Sequence, residues 1–457
     1  MEPPVPAHSL IRSRPGSALT DFGAASAARL ASAAPLVPPD AHAVVDGPGE
    51  AARDQARLGL YVHVPFCATR CTYCDFASGK LSLQTVERWK HAILHEAEMR
   101  APVATGRAFT SVFFGGGSPS AVPPDTAVQV MAALRRAFAI APDAEITLEA
   151  NPESVDDRRL EAWRTMGVNR LSFGAQSFEP GELEALGRVH DVEAPARAIA
   201  RARRHGFQRL SLDLMFGFPG HNEAAWRRTV ETALDLGVEH LSAYAFIPEG
   251  GTPLGNAVLR DEAHEMADDA EADLYAVLEA SAARAGFGPY ETSNFCRPGA
   301  EARHNLTYWL RRPYLALGPS AHGMIAGERY ANHYHLERWA SALERDERPE
   351  TSREAETADA IAQEILLLGL RLARGIEARD HDEAAWSAFQ HRYAATLASA
   401  ERAGRVERTA GGWRIPGHLR FVADDAIAWI EARAEAGRSS GTSARSARDL
   451  TWRASAS

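Results

Sequence analysis

Six short apolar runs recur between residues 58 and 248, and this recurrence limits the possible folds more than any other feature of the chain. They read LGLYVHVP (58–65), TSVFFGGG (110–117), EITLEANP (145–152), RLSFGAQS (170–177), RLSLDLMFGFP (209–219) and HLSAYAFIP (240–248). Each closes on Gly, Pro, Asn or Ser, the residues at which strands give way to turns. Between them lie amphipathic stretches such as TVERWKHAILHEAEMR (85–100), PDTAVQVMAALRRAF (124–138) and NEAAWRRTVETALDLG (222–237). Their apolar residues fall at three- and four-residue spacing, the helical period. Strand and helix in alternation predict an α/β fold, a partial TIM-like (β/α)6 barrel. In such barrels chemistry gathers at the C-terminal ends of the strands, and the unusual residues of this chain fall there.

With 457 residues the chain has room for such a barrel and an appendage. Residues 1–57, rich in Ala and Pro, offer too few large apolar side chains to offset the entropy of ordering, and read as a disordered extension rather than a transit peptide. The partial barrel is expected over 58–299. Over 300–436 the rhythm changes to a helix-period stretch (357–375), a shorter helix, a hairpin turning at Gly411–Gly412 and a last helix. This predicts a small helix-and-hairpin domain that a winged-helix arrangement would suit. Residues 437–457 are small, polar and basic, and read as a disordered tail. A net charge of −10 argues against a nucleic-acid partner, since such proteins usually carry a basic face. No stretch reaches the roughly 18–20 apolar residues of a membrane span, and the N-terminus lacks a secretory pattern. The expectation is a cytoplasmic protein, not a transmembrane one.

Three of the four cysteines, Cys67, Cys71 and Cys74, form a C-x3-C-x2-C loop directly after the first predicted strand; Cys296 is alone and reads as structural. A tight triplet in a large acidic chain points to thiolates holding a metal, not to a disulfide framework. Three thiolates can hold three irons of a four-iron cluster and leave the fourth open to a reactant. A Cys3His zinc site using His63, or three incidental buried thiols, would fit the spacing as well. Asp75 follows Cys74 where c-type haem attachment would need His.

The second run ends in Gly115-Gly116-Gly117-Ser118-Pro119, three bare backbone positions that a small zwitterionic or phosphorylated ligand could approach closely. A tight glycine turn is the plain alternative. Further strand ends carry Glu149, Gln176 and Asp213, with Arg188 just beyond the fourth run. Convergence of these polar groups on one mouth is what a polar ligand beside the cysteines would need.

C-x3-C-x2-C after the first strand, with Tyr73 before the third Cys and GGGSP after the second strand, resembles the radical S-adenosylmethionine (SAM) superfamily. The resemblance implies a [4Fe–4S] cluster on Cys67, Cys71 and Cys74, with SAM chelated at the open iron and its reductive cleavage giving a 5′-deoxyadenosyl radical. LYVHVPFCATRCTYCDF, FFGGGSPS, MGVNRLSFGAQSF, LGRVH and DLMFGFPG narrow the likeness to the oxygen-independent coproporphyrinogen III oxidase-like branch, over about residues 58–430. By motif position the family's SAM contacts fall on Tyr61, Tyr73, Gly116, Gly117, Ser118, Glu149, Gln176, Arg188, Asp213 and Ala245. Ser118 stands where the family writes Thr and keeps the hydroxyl.

Within that branch the dehydrogenase has a further Cys two residues after the third, where this chain has Phe76. Arg303-His304-Asn305-Leu306-Thr307-Tyr308-Trp309 is similar to the HNxxYW motif of the haem-chaperone paralogues. The resemblance therefore implies a haem chaperone that delivers haem to respiratory haem proteins at the membrane. The alternative is oxidative decarboxylation of coproporphyrinogen III. His304 is the expected haem contact, because a neutral imidazole is a good axial ligand and Tyr308 and Trp309 could lie on the porphyrin face. His322, His333 and His335 are weaker candidates, and a buried core histidine is the plain alternative for His304.

Overall fold

The computed structural model describes residues 57–453, with side chains described as far as Arg438. Of the extension expected over 1–57, residues 1–56 lie outside the described residues, as do the last four residues, 454–457, while Arg57 already stands in a strand. Six strands follow one another in parallel: β1 (Arg57–Val64), β2 (Ala108–Gly116), β3 (Ile140–Ala150), β4 (Arg170–Gln176), β5 (Arg209–Phe216) and β6 (His240–Ala245). The helices among them are α1 (Leu83–Arg100), α2 (Pro124–Ala137), α3 (Asp157–Met166), α4 (Pro180–Ala185), α5 (Ala194–Arg204) and α6 (Glu223–Asp235). Beyond β6 come α7 (Pro253–Leu259), α8 (Asp268–Arg284), β7 (Gly288–Pro289), β8 (Asn294–Cys296) and α9 (Arg303–Trp309). The first unit ends with β9 (Tyr314–Leu317), β10 (His322–Ile325), β11 (Glu328–Asn332), α10 (Leu336–Glu344) and β12 (Glu350–Ala355). These twelve strands make one sheet, in the order β12-β11-β10-β9-β1-β2-β3-β4-β5-β6-β8-β7.

The strands form because successive side chains alternate between two faces with different demands. Register joins Val62, Phe114, Leu148, Leu171 and Leu210 in one row, and Ala150, Phe173, Leu212 and Leu241 in the next. All nine are buried, and a fully buried Leu, Val or Phe contributes about 1.5–3 kcal/mol. The opposite face carries Tyr61, Phe113, Thr147 and Arg170 in one row, then Glu149, Ser172, Ser211 and His240, then Gly174, Asp213 and Ser242. That face is polar, so its groups must bond to one another or to a ligand.

The sheet runs past the expected end of the barrel at 299, and the compact first unit extends to Glu356. The reason is β9, which pairs in parallel with β1 on the side away from β2 and brings the meander β10-β11-β12 with it. A buried carboxylate, Glu96 of α1, ties this extension down. It accepts from Arg100 Nε (2.8 Å), Gly318 N (2.8 Å), Asn332 Nδ2 (2.8 Å) and Trp339 Nε1 (3.0 Å).

The second unit begins at Thr357, where the sequence reading put a helix-and-hairpin domain over 300–436. It holds α11 (Ala358–Gly369), α12 (Glu383–Arg402), α13 (Ala423–Arg453) and a three-stranded sheet of β13 (Ile376–Glu377), β14 (Glu407–Arg408) and β15 (Gly412–Arg414), in the order β13-β15-β14. Leu366, Phe389, Tyr393, Leu397, Trp413 and Ile430 fill its core. The tail expected to lose structure from Gly437 is instead helical to Arg453.

Candidate functional site

The cysteine loop leaves β1 at Pro65 and is closed on itself by a short parallel pairing of Phe66–Cys67 with Gly79–Lys80. His63 braces it from below. Its Nε2 lies 2.9 Å from the Ala77 carbonyl and its Nδ1 3.0 Å from the Tyr61 hydroxyl. Burial holds the His63 pKa down at about 4, so the ring is neutral and donates to Ala77 while accepting from Tyr61. With both nitrogens engaged, His63 has none left for the Cys3His zinc site that the spacing allowed. Thr72 anchors the middle of the loop, its hydroxyl donating to Ala185 O (2.9 Å) and its carbonyl accepting from Leu254 N (2.8 Å). Tyr73 packs on the apolar cluster of Leu186, Met215, Phe218 and Phe246. After the loop, Ser82 caps α1 in a capping box with Thr85.

All three loop cysteines are partly exposed, and two of their sulfurs have hydrogen-bond donors aimed at them. The Ser118 hydroxyl lies 3.5 Å from Cys67 Sγ and Arg188 NH1 lies 3.4 Å from Cys71 Sγ. Burial pushes the Cys74 thiol up to about 11. Among the described residues no three His, Cys, Asp or Glu side chains converge as one metal ion requires. A cluster that spreads three thiolates over three irons asks for no such convergence, and donors to its sulfurs tune it. Three thiols on a braced loop with two such donors fit a [4Fe–4S] group.

Around this loop stand the other residues expected at the mouth. Gly116 has φ +109° and its N–H donates to Glu149 Oε2 at 3.1 Å; a Cβ there would meet the His63 ring at 2.5 Å. Only glycine fits. A Cβ on Gly117 would likewise strike Phe66 O at 2.6 Å. Burial, then the nearby Asp213, raises Glu149 to about 8, and burial also raises Asp213, whose Oδ1 accepts from Ser172 at 2.9 Å. Two carboxyls in one buried lumen favour the protonated form until a cation arrives. Gln176 ends β4 in the left-handed region (φ 67°), turned beside Gly174 with Arg188 and Asn151. Ala245 ends β6, paired with Phe216, and has no described polar contact with the rest of the ring.

Asn151 was missing from the sequence expectations. Its side chain donates to Ser118 Oγ (3.0 Å) and accepts from Arg188 NH2 (2.9 Å), so one amide links the donors of two different cysteines. Its position two residues past Glu149 in LEANP was the available signal.

His304 is not at this mouth. Helix α9 lies toward the opposite, N-terminal ends of the strands, where Glu145, midway along β3 and paired with Ser111, accepts from the backbone N–H groups of Arg303 (3.1 Å) and His304 (2.9 Å). The His304 ring is 1% exposed. Its Nδ1 is 2.9 Å from Ser111 Oγ, its Nε2 is 2.8 Å from Tyr308 OH, and its face stacks on Phe113 at 5.2 Å. Beside it Asn305 Nδ2 donates to Tyr290 OH, which is 3.0 Å from His240 Nε2, and His240 Nδ1 is 2.7 Å from Ser211 Oγ. Two Ser-His-Tyr chains thus floor the barrel. Ser111 and Gly116 are five residues apart on one strand, about 16 Å. In this structure both ring nitrogens of His304, the expected haem contact, are bonded inside the floor.

A model of the radical SAM superfamily matches residues 61–233. The chain is 39% identical over 337 residues to "Heme chaperone HemW" of Mycobacterium tuberculosis, covering 73% of this chain and 86% of that relative. It is 35% identical over 319 residues to "Heme chaperone HemW" of Bacillus subtilis, covering 69% and 84%. Among solved structures it is similar to coproporphyrinogen III oxidase (HemN) from Escherichia coli, with a TM-score of 0.72, 22% identity and coverage of 84% of this chain and 93% of that one. At that identity the likeness shows the fold.

Proposed function

The chain belongs to the radical SAM superfamily, on the branch that includes the HemW heme chaperones, and on that premise we propose that it is a haem carrier. It would bind a [4Fe–4S] cluster and SAM and hand haem to respiratory haem-protein acceptors. Cys67, Cys71 and Cys74 would hold the cluster, with Ser118 and Arg188 donating to the sulfurs of Cys67 and Cys71. Tyr61, Tyr73, Gly116, Gly117, Glu149, Gln176, Asp213 and Ala245 would line the SAM side. When bound, a cluster and SAM supply one-electron reductive chemistry. The protein's own part is positional: glycine backbone open to close approach, two buried carboxyls ready to face a cationic ligand, and Asn151 holding both sulfur donors in register.

The observation that carries this reading is 39% identity across 86% of a relative named as a heme chaperone, joined to a loop whose residue 76 is an exposed Phe rather than a fourth thiol. No helix among the described residues is long and apolar enough to cross a membrane, so acceptors at a membrane would be met from outside it. The test is anaerobic reconstitution followed by haem titration, with both chromophores followed by absorbance. Uptake of haem by cluster-loaded protein supports the carrier reading. No uptake, with conversion of coproporphyrinogen III to protoporphyrinogen in the presence of SAM and a reductant, overturns it in favour of the dehydrogenase.

A further inference from the structure

A haem carrier needs an imidazole with a free nitrogen, an apolar surface for the macrocycle and a cation for the propionates. Of the buried histidines, His63, His240 and His304 each have both ring nitrogens bonded within the first unit, and the nitrogens that His190 and His221 leave unbonded are buried against Glu153 (3.5 Å) and Glu182 (3.6 Å), so none of these five meets the first need at the surface. His335 does. It is exposed, caps the start of α10 without a side-chain hydrogen bond, and its ring meets no described polar partner, only the edge of Tyr334 at 5.1 Å. Tyr334 is itself 47% exposed, and its hydroxyl donates to the Asp75 carbonyl at 3.3 Å. That bond sets the His333-Tyr334-His335 segment directly beside the cysteine loop, next to Phe76, which is 50% exposed. Arg338 is exposed in the first turn of α10, three residues after the capping His335. The exposed imidazoles of His91, His264 and His391 have no described bond that ties their segments to the cysteine loop.

We propose that haem docks on the face formed by Phe76, Tyr334, His335 and Arg338, with His335 as its axial ligand and Arg338 on a propionate. The macrocycle covers two aromatic side chains that otherwise stand in water, and its negative edge meets a cation with no described carboxylate partner. The site lies on the rim of the cysteine loop, at the mouth of the barrel and away from its HNLTYW floor. The assignment rests on the haem-carrier reading and names the surface that reading leaves open.

The test is a hemin titration of the full-length, cluster-reconstituted chain, followed by absorbance. His335→Ala is expected to weaken haem binding at least about tenfold, the scale of losing a metal-site contact, and to change the bound-haem spectrum while the cluster absorbance stays. Added imidazole restores the spectrum. Arg338→Glu weakens binding less and leaves the spectrum alone, and His304→Gln keeps the wild-type haem spectrum. If the wild type binds haem and His335→Ala binds it with the same affinity and spectrum, the proposal is overturned and the carrier reading survives. If the wild type itself takes up no haem, the carrier reading falls and this assignment with it.

Discussion

His304→Leu separates a floor histidine from a haem ligand without any haem present. The substitution keeps an apolar body of similar size against Phe113 but strands the buried Ser111 Oγ and the half-buried Tyr308 OH. An unsatisfied buried polar group costs about 1–3 kcal/mol, so stranding Ser111, with a smaller share from the half-buried Tyr308, lowers stability at neutral pH by about 1–4 kcal/mol. That is a large fraction of the about 5–15 kcal/mol that a domain has. The pH dependence carries a second signature. Burial holds the His304 pKa at about 3 against an ordinary 6.5, so the folded chain keeps the ring neutral while the unfolded chain protonates it. The stability tied to that ring is complete above pH 6.5 and is lost as pH falls from 6.5 towards 3, at about 1.4 kcal/mol per unit.

Between pH 7.5 and 5 the wild type therefore loses about 2 kcal/mol through His304 that the Leu variant does not lose. His63 and His221, both lowered to about 4 by burial, act in the same direction but are common to both chains and cancel in the difference. The assay is denaturant unfolding of wild type and His304→Leu at the two pH values, with the gap in unfolding free energy as the readout. The gap should narrow by about 2 kcal/mol on acidification. A gap that is constant with pH, or smaller than about 0.5 kcal/mol at pH 7.5, would refute the floor assignment.

Glu96→Ala removes the acceptor of four buried donors and leaves Arg100 with Glu350 and Asn332, so stability should fall by about 3–5 kcal/mol; an unchanged Tm would contradict the network. Gly116→Ala forces a Cβ against His63 in a left-handed backbone, and the purified protein should carry much less iron and sulfide than wild type; wild-type content would show that the strand exit tolerates the strain. Cys71→Ala should abolish the cluster absorbance after anaerobic reconstitution, and a fully loaded variant would remove Cys71 from the ligand set. Asn151→Ala should leave the fold intact but shift the cluster's reduction potential, since it frees Ser118 and Arg188 from their common partner; an unmoved potential would reduce Asn151 to a packing role.

The six parallel strands were legible because their two faces make different demands, which leaves a period-2 alternation of apolar and polar residues in the chain. The expected runs at 58–65, 170–177 and 240–248 lie within about three residues of β1, β4 and β6 at either end. The extension was not legible. β10, β11 and β12 span four to six residues each, and β12 (ETSREA) is a mostly exposed edge strand whose polar sequence carries no burial signal. The cysteine loop and glycine run were legible because thiol ligation and left-handed backbone restrict the residue type locally. Asn151 acts through other side chains, and a single Asn after a strand looks like any turn residue.

The HNLTYW segment marks the limit of reading chemistry from residue type. A histidine, an amide and two aromatics suit a porphyrin, but they suit the narrow end of a polar-lined barrel equally well. There the lumen has to close without leaving Ser111 and Ser211 unpaired, and a ring that can both donate and accept does this while presenting an apolar face to Phe113. What distinguishes the two uses is whether a nitrogen is left over. In His304 none is, whereas in His335, which the residue pattern ranked lower, the ring stands exposed beside the cysteine loop with its nitrogens uncommitted to any described partner. The proposed docking face therefore rests on two properties together, an imidazole whose nitrogens are uncommitted and its exposure beside the cysteine loop, and His335 combines them.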